Sequence, residues 1–410
     1  MLARTETRPP ETFSKGTTAR TEARPPETFS QTTMDWRQYT TILGKLVYGE
    51  DGDIPAEALQ DEFLRLAQAD GLGAFCHCCL QGRLEAKNGD KLRKLWKKQS
   101  LLNLEYEVAL KSLSKNLTEA TVRFLFIKGG DLAFRVYPYA SMRSFGDLDV
   151  LLHPDDCQRG LACLEQHGWQ SLYKYPQWWW HHFSPYTKGN CVLEPHWTLP
   201  GFDGIKPEQI WKYAVPTGEG TSHVLSPEMN LLMLCRHLSE DSYRVFSLGK
   251  FLLDVAFLLK YENIDWEKLQ NICAELGLPY PGDILAVFDT FFPPEMLASW
   301  PSDSPAGQAF REILETRAAM RQVSRHEMIM SEKGAFSFSW LRSRLAFFHP
   351  HNVRKKYDLP AHGAFGRLLA AYVRDVVAKI YDLRLLIFRK SWLSQYQRLV
   401  SKVEKPAKLR

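Results

Sequence analysis

The chain contains 410 residues, 45% of them hydrophobic and 24% charged, a globular composition with enough length for two or three domains. Its net charge of +5 is unevenly placed: residues 341–410 hold 16 Lys and Arg against 4 Asp and Glu, so that segment carries +12 and the first 340 residues −7.

No apolar run reaches the ~20 residues that a membrane-spanning helix needs, which excludes an integral helical membrane protein. Eight scattered cysteines without a signal peptide predict reduced thiols and a cytoplasmic location.

Residues 1–33 contain a duplication, in which ARTETRPPETFS at 3–14 recurs as ARTEARPPETFS at 19–30. Sequence rich in Pro, Thr and Glu cannot bury enough apolar surface to offset its conformational entropy. We therefore expect a disordered tail, with peptide docking as the alternative and Met34 as a candidate translation start.

Residues 34–120 follow a helical pattern, which includes a long predicted helix at 91–117. A cluster of three cysteines around His77 lies in this region, at 76–79. Because it lacks a second pair of ligands at structural-zinc spacing, we interpret these cysteines as core thiols rather than as a zinc site.

The hydrophobic period changes to two after residue 120, which predicts strands. We predict strands at 122–127, 147–152 and 191–194, with helices between them at 131–136 and 156–167. Residues 121–200 are therefore predicted to form a small mixed β-sheet core. With helical flanks on both sides, the predicted fold class is α+β.

Helices return in residues 201–300, where Ser226-Pro227-Glu228 is a strong helix start. Helices are predicted at 227–238, at 244–260 and from residue 265 onward. Residues 301–410 follow as a basic helical region. Its amphipathic stretch at 368–388 is a candidate surface for an anionic partner such as nucleic acid or lipid, and a solvated helical face is the alternative.

Asp147 and Asp149 lie two residues apart on a predicted strand, so period-two geometry turns both carboxylates to one face. Two convergent carboxylates repel each other unless a divalent cation lies between them, and Mg²⁺ prefers carboxylate oxygens together with substrate phosphates. Glu194, at the end of a later strand, supplies a third carboxylate. The set predicts a catalytic Mg²⁺ or Mn²⁺ site with Asp147, Asp149 and Glu194 as ligands, whereas an Asp-x-Asp pair alone is more simply a solvated strand end.

Lys128-Gly129-Gly130 lies at a predicted strand-to-helix junction before these carboxylates. Glycines there let backbone N–H groups approach a phosphate at the positive end of the following helix. Lys128 and Arg143 would add positive charge against a triphosphate. Lys128, Gly129, Gly130 and Arg143 are therefore the predicted nucleotide-binding residues, although a Gly-Gly pair read alone is only a turn.

Two segments, KGGDLAFRVY at 128–137 and RSFGDLDVLL at 143–152, resemble the uncharacterised nucleotidyltransferase family of bacteria, within the polymerase-β superfamily. The resemblance covers roughly residues 91–277 and extends to later motifs: His181-His182, Glu194-Pro195-His196-Trp197, His237, Leu253-Asp254 and Asp265-Trp266. Two positions depart from the pattern. Pro195 is expected to interrupt its strand, and Gly-Gly replaces the Gly-Ser turn common in the superfamily.

The resemblance implies an enzyme that transfers a nucleoside monophosphate from an NTP such as ATP to an acceptor hydroxyl. The reaction would use two metal ions. Asp147 and Asp149 would bind both of them, and Glu194 would bind the catalytic ion. The acceptor is open among a sugar, a small molecule, a lipid-linked group and a protein. Two alternatives stay open: a nucleotide-binding or regulatory module with weakened catalysis, indicated by the two departures, and a nucleic-acid-modifying enzyme, indicated by the basic C-terminal region.

Several polar residues near these motifs have two interpretations each. His181 and His182 form either a substrate-facing wall or part of a packed lid. His196 either hydrogen-bonds to a metal ligand and so orients it, or hydrogen-bonds to a neighbouring loop. His237 and Asp254 either pair near the site or form a buried polar pair between helices, which is the favoured interpretation.

Overall fold

The computed structural model describes most of residues 34–319 and four residues near the C-terminus. The gaps fall at 50–53, 55–58, 60, 173–180, 203, 219, 241–247 and 302–303, and the C-terminal residues described are 366, 369, 372 and 373. The duplicated tail at 1–33 and most of the basic region predicted over 301–410 lie outside the described residues, as do the three tryptophans before His181.

Helices surround the sheet in the described part of the chain. They are α1 (Trp36–Tyr48), α2 (Asp61–Ala69), α3 (Gly73–Cys79), α4 (Ala86–Glu119), α5 (Lys128–Arg135), α6 (Cys157–Gln166), α7 (Pro207–Trp211), α8 (Pro227–Glu240), α9 (Leu248–Tyr261), α10 (Trp266–Leu276), α11 (Pro281–Leu285), α12 (Pro294–Leu297) and α13 (Pro305–Ala319). None of these described helices combines the length and apolar character needed to cross a membrane.

Seven strands in the described residues form one mixed sheet. They are β1 (Phe124–Ile127), β2 (Leu148–Leu152), β3 (Gln170–Ser171), β4 (Tyr186–Lys188), β5 (Cys191–His196), β6 (Ala214–Pro216) and β7 (Ser222–Leu225). The strand order is β3-β4-β5-β2-β1-β7-β6. β2 runs antiparallel to β1 and parallel to β5, and β1 runs parallel to β7. The predicted α+β class, with a mixed sheet between helical flanks, is confirmed.

The expectation that Pro195 interrupts its strand is wrong. β5 continues through Pro195, which lies opposite Val150 of β2. The carbonyl of Pro195 accepts a hydrogen bond from the backbone N–H of Phe183 at 2.7 Å. The N–H and C=O groups of an extended residue point to the same side of the strand. Since the C=O of Pro195 points toward Phe183, the missing N–H would also point there, and no hydrogen bond between β5 and β2 is lost.

The two faces of the sheet contribute to different hydrophobic clusters. Leu148, Val150 and Leu152 pack with α4 and α6, whereas Leu151 belongs to a cluster that includes residues of α1, α2, α8, α9 and α10. Side chains alternate along a strand, so Asp149 lies on the same face as Leu151. The predicted metal-binding aspartate therefore faces the side of the sheet that carries α9.

Candidate metal and nucleotide site

Acidic and imidazole side chains meet where β2 and β5 run side by side. Asp149 is the Cα partner of Glu194 across this parallel pair, and His196 follows two residues later on the same face of β5. One ligand atom from each of Asp149, Glu194 and His196 lies within 4.8 Å of the others. Two carboxylates and an imidazole are a chemically suitable donor set for a divalent cation. The carboxylate oxygens of Asp149 and Glu194 suit the Mg²⁺ or Mn²⁺ that the sequence implies, whereas the imidazole of His196 is a ligand more typical of transition metals such as Zn²⁺.

Asp147 lies beside this group rather than within it. It precedes the first residue of β2, is half-buried, and is not part of the 4.8 Å cluster. Burial raises the pKa of its carboxyl group, and the negative charge of Asp149 raises it further. A bound cation would relieve both effects, because it stabilises the charged form.

Asp149 is held by two partners that favour its ionised form. Nζ of Lys128 donates to its Oδ1 at 3.0 Å, and Nε2 of His196 lies 2.8 Å from the same oxygen. Burial alone would raise the pKa of Asp149, but Lys128 and His196 together hold it well below its usual range. Asp149 is therefore a carboxylate at neutral pH.

Lys128 reaches Asp149 because the two strands are in register. Ile127, the last residue of β1, is the Cα partner of Asp149, and Lys128 comes next with a φ of 53°, a left-handed conformation that is uncommon with a side chain. Burial opposes its charge, but the carboxylates of Asp149, Asp147 and Glu194 raise the pKa of the Lys128 ammonium above its usual value. Lys128 thus pairs with a carboxylate in the structure, and its contact with a phosphate stays a prediction.

Gly129 and Gly130 satisfy a packing requirement at the start of α5. A Cβ on Gly129 would lie 2.6 Å from Cβ of Phe145, and one on Gly130 would lie 3.0 Å from Cδ2 of Leu148. The first backbone N–H groups of a helix lack partners within it, which keeps them available to an anion. Phosphate binding by this turn stays a prediction.

Gly129→Ala is expected to lower the free energy of unfolding by about 1–3 kcal/mol, because the added methyl group overlaps Phe145. Gly146→Ala is the matched control, since nothing lies within 4 Å of a Cβ added there. Urea denaturation of both variants measures the difference. Equal free energies of unfolding would mean that α5 shifts away from Phe145 without cost.

Arg143, predicted to bind phosphate, forms an ion pair with a carboxylate of α9. Its Nε and Nη2 donate to the two oxygens of Asp254 at 2.8 and 2.7 Å, and its Nη1 donates to the carbonyl of Ser144 at 2.6 Å. The hydroxyl of Tyr137 also donates to Asp254, at 2.6 Å. Arg143, Tyr137 and Asp254 are all buried. The structure therefore gives Arg143 a buried ion pair rather than an open guanidinium, and Asp254 takes part in a buried polar network whose members include Arg143.

Three imidazole rings lie together beside the carboxylates. The rings of His181 and His196 stack with centroids 5.3 Å apart, and the ring of His182 lies 5.4 Å from that of His196. Burial and the neighbouring His196 lower the pKa of His182 to about 4, and they lower the pKa of His181 further. These two rings are therefore neutral at physiological pH, and a role in facing the substrate stays a prediction.

His196 is a potential metal ligand that the sequence analysis does not name as one. Its Nε2 lies 2.8 Å from Oδ1 of Asp149, as expected of a residue that supports a ligand, and it also lies among the potential ligands itself. The signal was present in the sequence, because residues two apart on a strand share a face and Glu194 was already a predicted ligand.

The mixed sheet, its helical flanks and the acidic site define a protein with a nucleotidyltransferase-type α+β core. The profile of the uncharacterised nucleotidyltransferase family matches residues 56–281, more than half of the chain, and the chain belongs to that family. The matched range contains every site residue from Lys128 to Asp254. No solved structure matches the chain.

Proposed function

We propose that the protein transfers a nucleoside monophosphate from an NTP to an acceptor hydroxyl in a reaction that depends on Mg²⁺ or Mn²⁺. The acceptor oxygen forms a bond to the α-phosphorus, the bond from that phosphorus to the bridging oxygen breaks, and pyrophosphate leaves. The observation that carries the proposal is the group of Asp149, Glu194 and His196 on adjacent strands, with Asp147 beside it. Membership of the nucleotidyltransferase family supports the same reaction class.

The carboxylates would hold the cation and prepare the acceptor. A bound divalent ion would neutralise charge on the phosphates and make the acceptor hydroxyl more acidic. Asp149, which Lys128 and His196 keep ionised, would coordinate the cation as a carboxylate, and Asp147 would be a second ligand of the same site. Glu194 would assist removal of the acceptor proton, a task that suits a carboxylate held near the attacking oxygen.

The phosphates would be held at the start of α5. Lys128 and the backbone N–H groups of Gly129 and Gly130 lie at the helix N-terminus that follows β1, where anions are stabilised. Arg143 would act indirectly, because its contacts with Ser144 and Asp254 fix the segment that leads to Asp147.

A nucleotide-binding module with weakened catalysis is the second candidate. It is favoured by the position of Asp147 outside the ligand group and by the existing carboxylate partners of Lys128 and Arg143. Pro195 no longer supports it, since β5 is continuous.

The two candidates differ in pyrophosphate release. We would incubate the protein with ATP, GTP, CTP and UTP separately, with Mn²⁺ and a heat-treated cell extract that supplies acceptors but no active enzymes. The proposed transferase releases pyrophosphate only when extract and metal are present, and digestion of the products with nuclease or protease then identifies the acceptor class. Binding of an NTP with no pyrophosphate release under any condition would favour the module, and no binding of any NTP would overturn both.

A further inference from the structure

In the part of the chain that the structure describes, three cationic side chains that approach the carboxylate site matter here, and two of them are already paired. Lys128 donates to Asp149, and Arg143 donates to Asp254. The third is Lys250, in the first turn of α9. Among the residues that the structure describes, its ammonium group has no hydrogen bond and no ion pair within 4.0 Å, although its side chain is half-buried.

The position of Lys250 on α9 directs it toward the site. Lys250 precedes Asp254 by four residues, and residues at that spacing share a helix face. Asp254 on this face contacts Arg143, in the segment just before Asp147. The Lys250 ammonium accordingly interacts electrostatically with Arg143, Asp254 and Asp147, and also with Asp70.

Among the described residues the ammonium of Lys250 has no protein acceptor, and the partial burial of its side chain reduces its hydration. Burial and the neighbouring Arg143 lower the pKa of Lys250, and the carboxylates of Asp254 and Asp147 only partly offset this. An incoming anion would supply the missing acceptor. Lysine suits a phosphate chain, since its compact charge carries three donors that rotate freely.

We propose that Lys250 binds the triphosphate of the incoming NTP, the position that the sequence assigned to Arg143. This inference rests on the proposed function, because it takes the carboxylates of β2 and β5 as the metal site to which the same nucleotide binds. The class of ligand is a polyphosphate anion, and the base makes no contribution to this contact.

Inorganic tripolyphosphate is the probe that tests Lys250 without a base or an acceptor. Its affinity, and that of ATP and adenosine, would be measured by calorimetric titration with Mn²⁺ for the wild type and two variants of the full chain. Lys250→Gln is expected to weaken tripolyphosphate and ATP binding roughly 10- to 100-fold, the effect of losing one hydrogen bond to a charged group, and to leave adenosine binding unchanged. Lys250→Arg, which keeps the charge, is expected to stay within a few-fold of the wild type.

Lys260→Gln is the matched control, because it removes the same charge from an exposed position in the last turn of the same helix. It should leave all three affinities unchanged. Thermal unfolding of each variant without ligand verifies the fold. Should Lys250→Gln not fold, Lys250→Met keeps the apolar stem and provides the same comparison.

The outcomes separate this proposal from the one on which it rests. Unchanged tripolyphosphate and ATP affinity in a folded Lys250→Gln or Lys250→Met protein would overturn the role of Lys250 while the proposed function stands. A wild-type protein that binds neither ATP nor any other NTP would overturn the proposed function, and the role of Lys250 with it.

Discussion

Asp147→Asn is expected to lower nucleotidyl transfer by at least ~10³-fold, because loss of a metal ligand removes several kcal/mol of transition-state stabilisation. The unliganded protein should be at least as stable as the wild type. The pKa of Asp147 is raised by burial and by Asp149, so its charged form is disfavoured in the folded state above that pKa, and the neutral amide removes this cost. Turnover with saturating Mn²⁺ and urea denaturation give the two readouts.

Asp155→Asn is the control for this experiment, since Asp155 is an exposed carboxylate that follows the other end of β2. It should change turnover little. Asp149→Asn is less informative than Asp147→Asn, because it also removes the counter-charge of Lys128. Near-normal turnover of the Asp147→Asn protein would show that the metal assignment is wrong.

Asp254→Asn is expected to lower the free energy of unfolding by about 3–5 kcal/mol, because it leaves the buried guanidinium of Arg143 without a counter-charge. Tyr137, which donates to the same carboxylate, loses a charged acceptor as well. Lys111→Gln is the comparison: it breaks an exposed pair with Glu107 on α4 and should cost less than ~0.5 kcal/mol. Similar losses in the two variants would mean that water reaches Arg143.

The strands that carry the site could be predicted because each is a run of apolar residues that contains or adjoins acidic residues. Asp147 and Asp149 follow the period of a strand, and Glu194 lies on another, so the approach of Asp149 to Glu194 needed only the pairing of β2 with β5, whereas Asp147 lies beside the group. α8 was predicted to begin at Pro227, as observed, since Ser226 and Pro227 carry the signal for a helix start. By contrast β3, β4, β6 and β7 have two to four residues each, too few to show a period of two.

The partners of the charged side chains could not be predicted, because they depend on contacts distant in the chain. Arg143 and Asp254 are 111 residues apart, and nothing local distinguishes a phosphate-binding arginine from one in a buried ion pair. Lys128 likewise carried the expected motif, yet its partner Asp149 lies on the neighbouring strand. Lys250 belongs to no motif, and its half-burial without an acceptor among the described residues is visible only in the folded chain.

The reaction itself is tested most directly by the position of the phosphorus atom that is transferred. Parallel incubations with NTP labelled at the α-phosphate and at the γ-phosphate, with Mn²⁺ and the heat-treated extract, are followed by separation of acceptors from small anions. The α-label is expected in the acceptor and the γ-label in free pyrophosphate, and Asp147→Asn should give neither. Label from the γ-phosphate in the acceptor, or γ-label released as orthophosphate without α-transfer, would contradict nucleotidyl transfer at the carboxylates of β2 and β5.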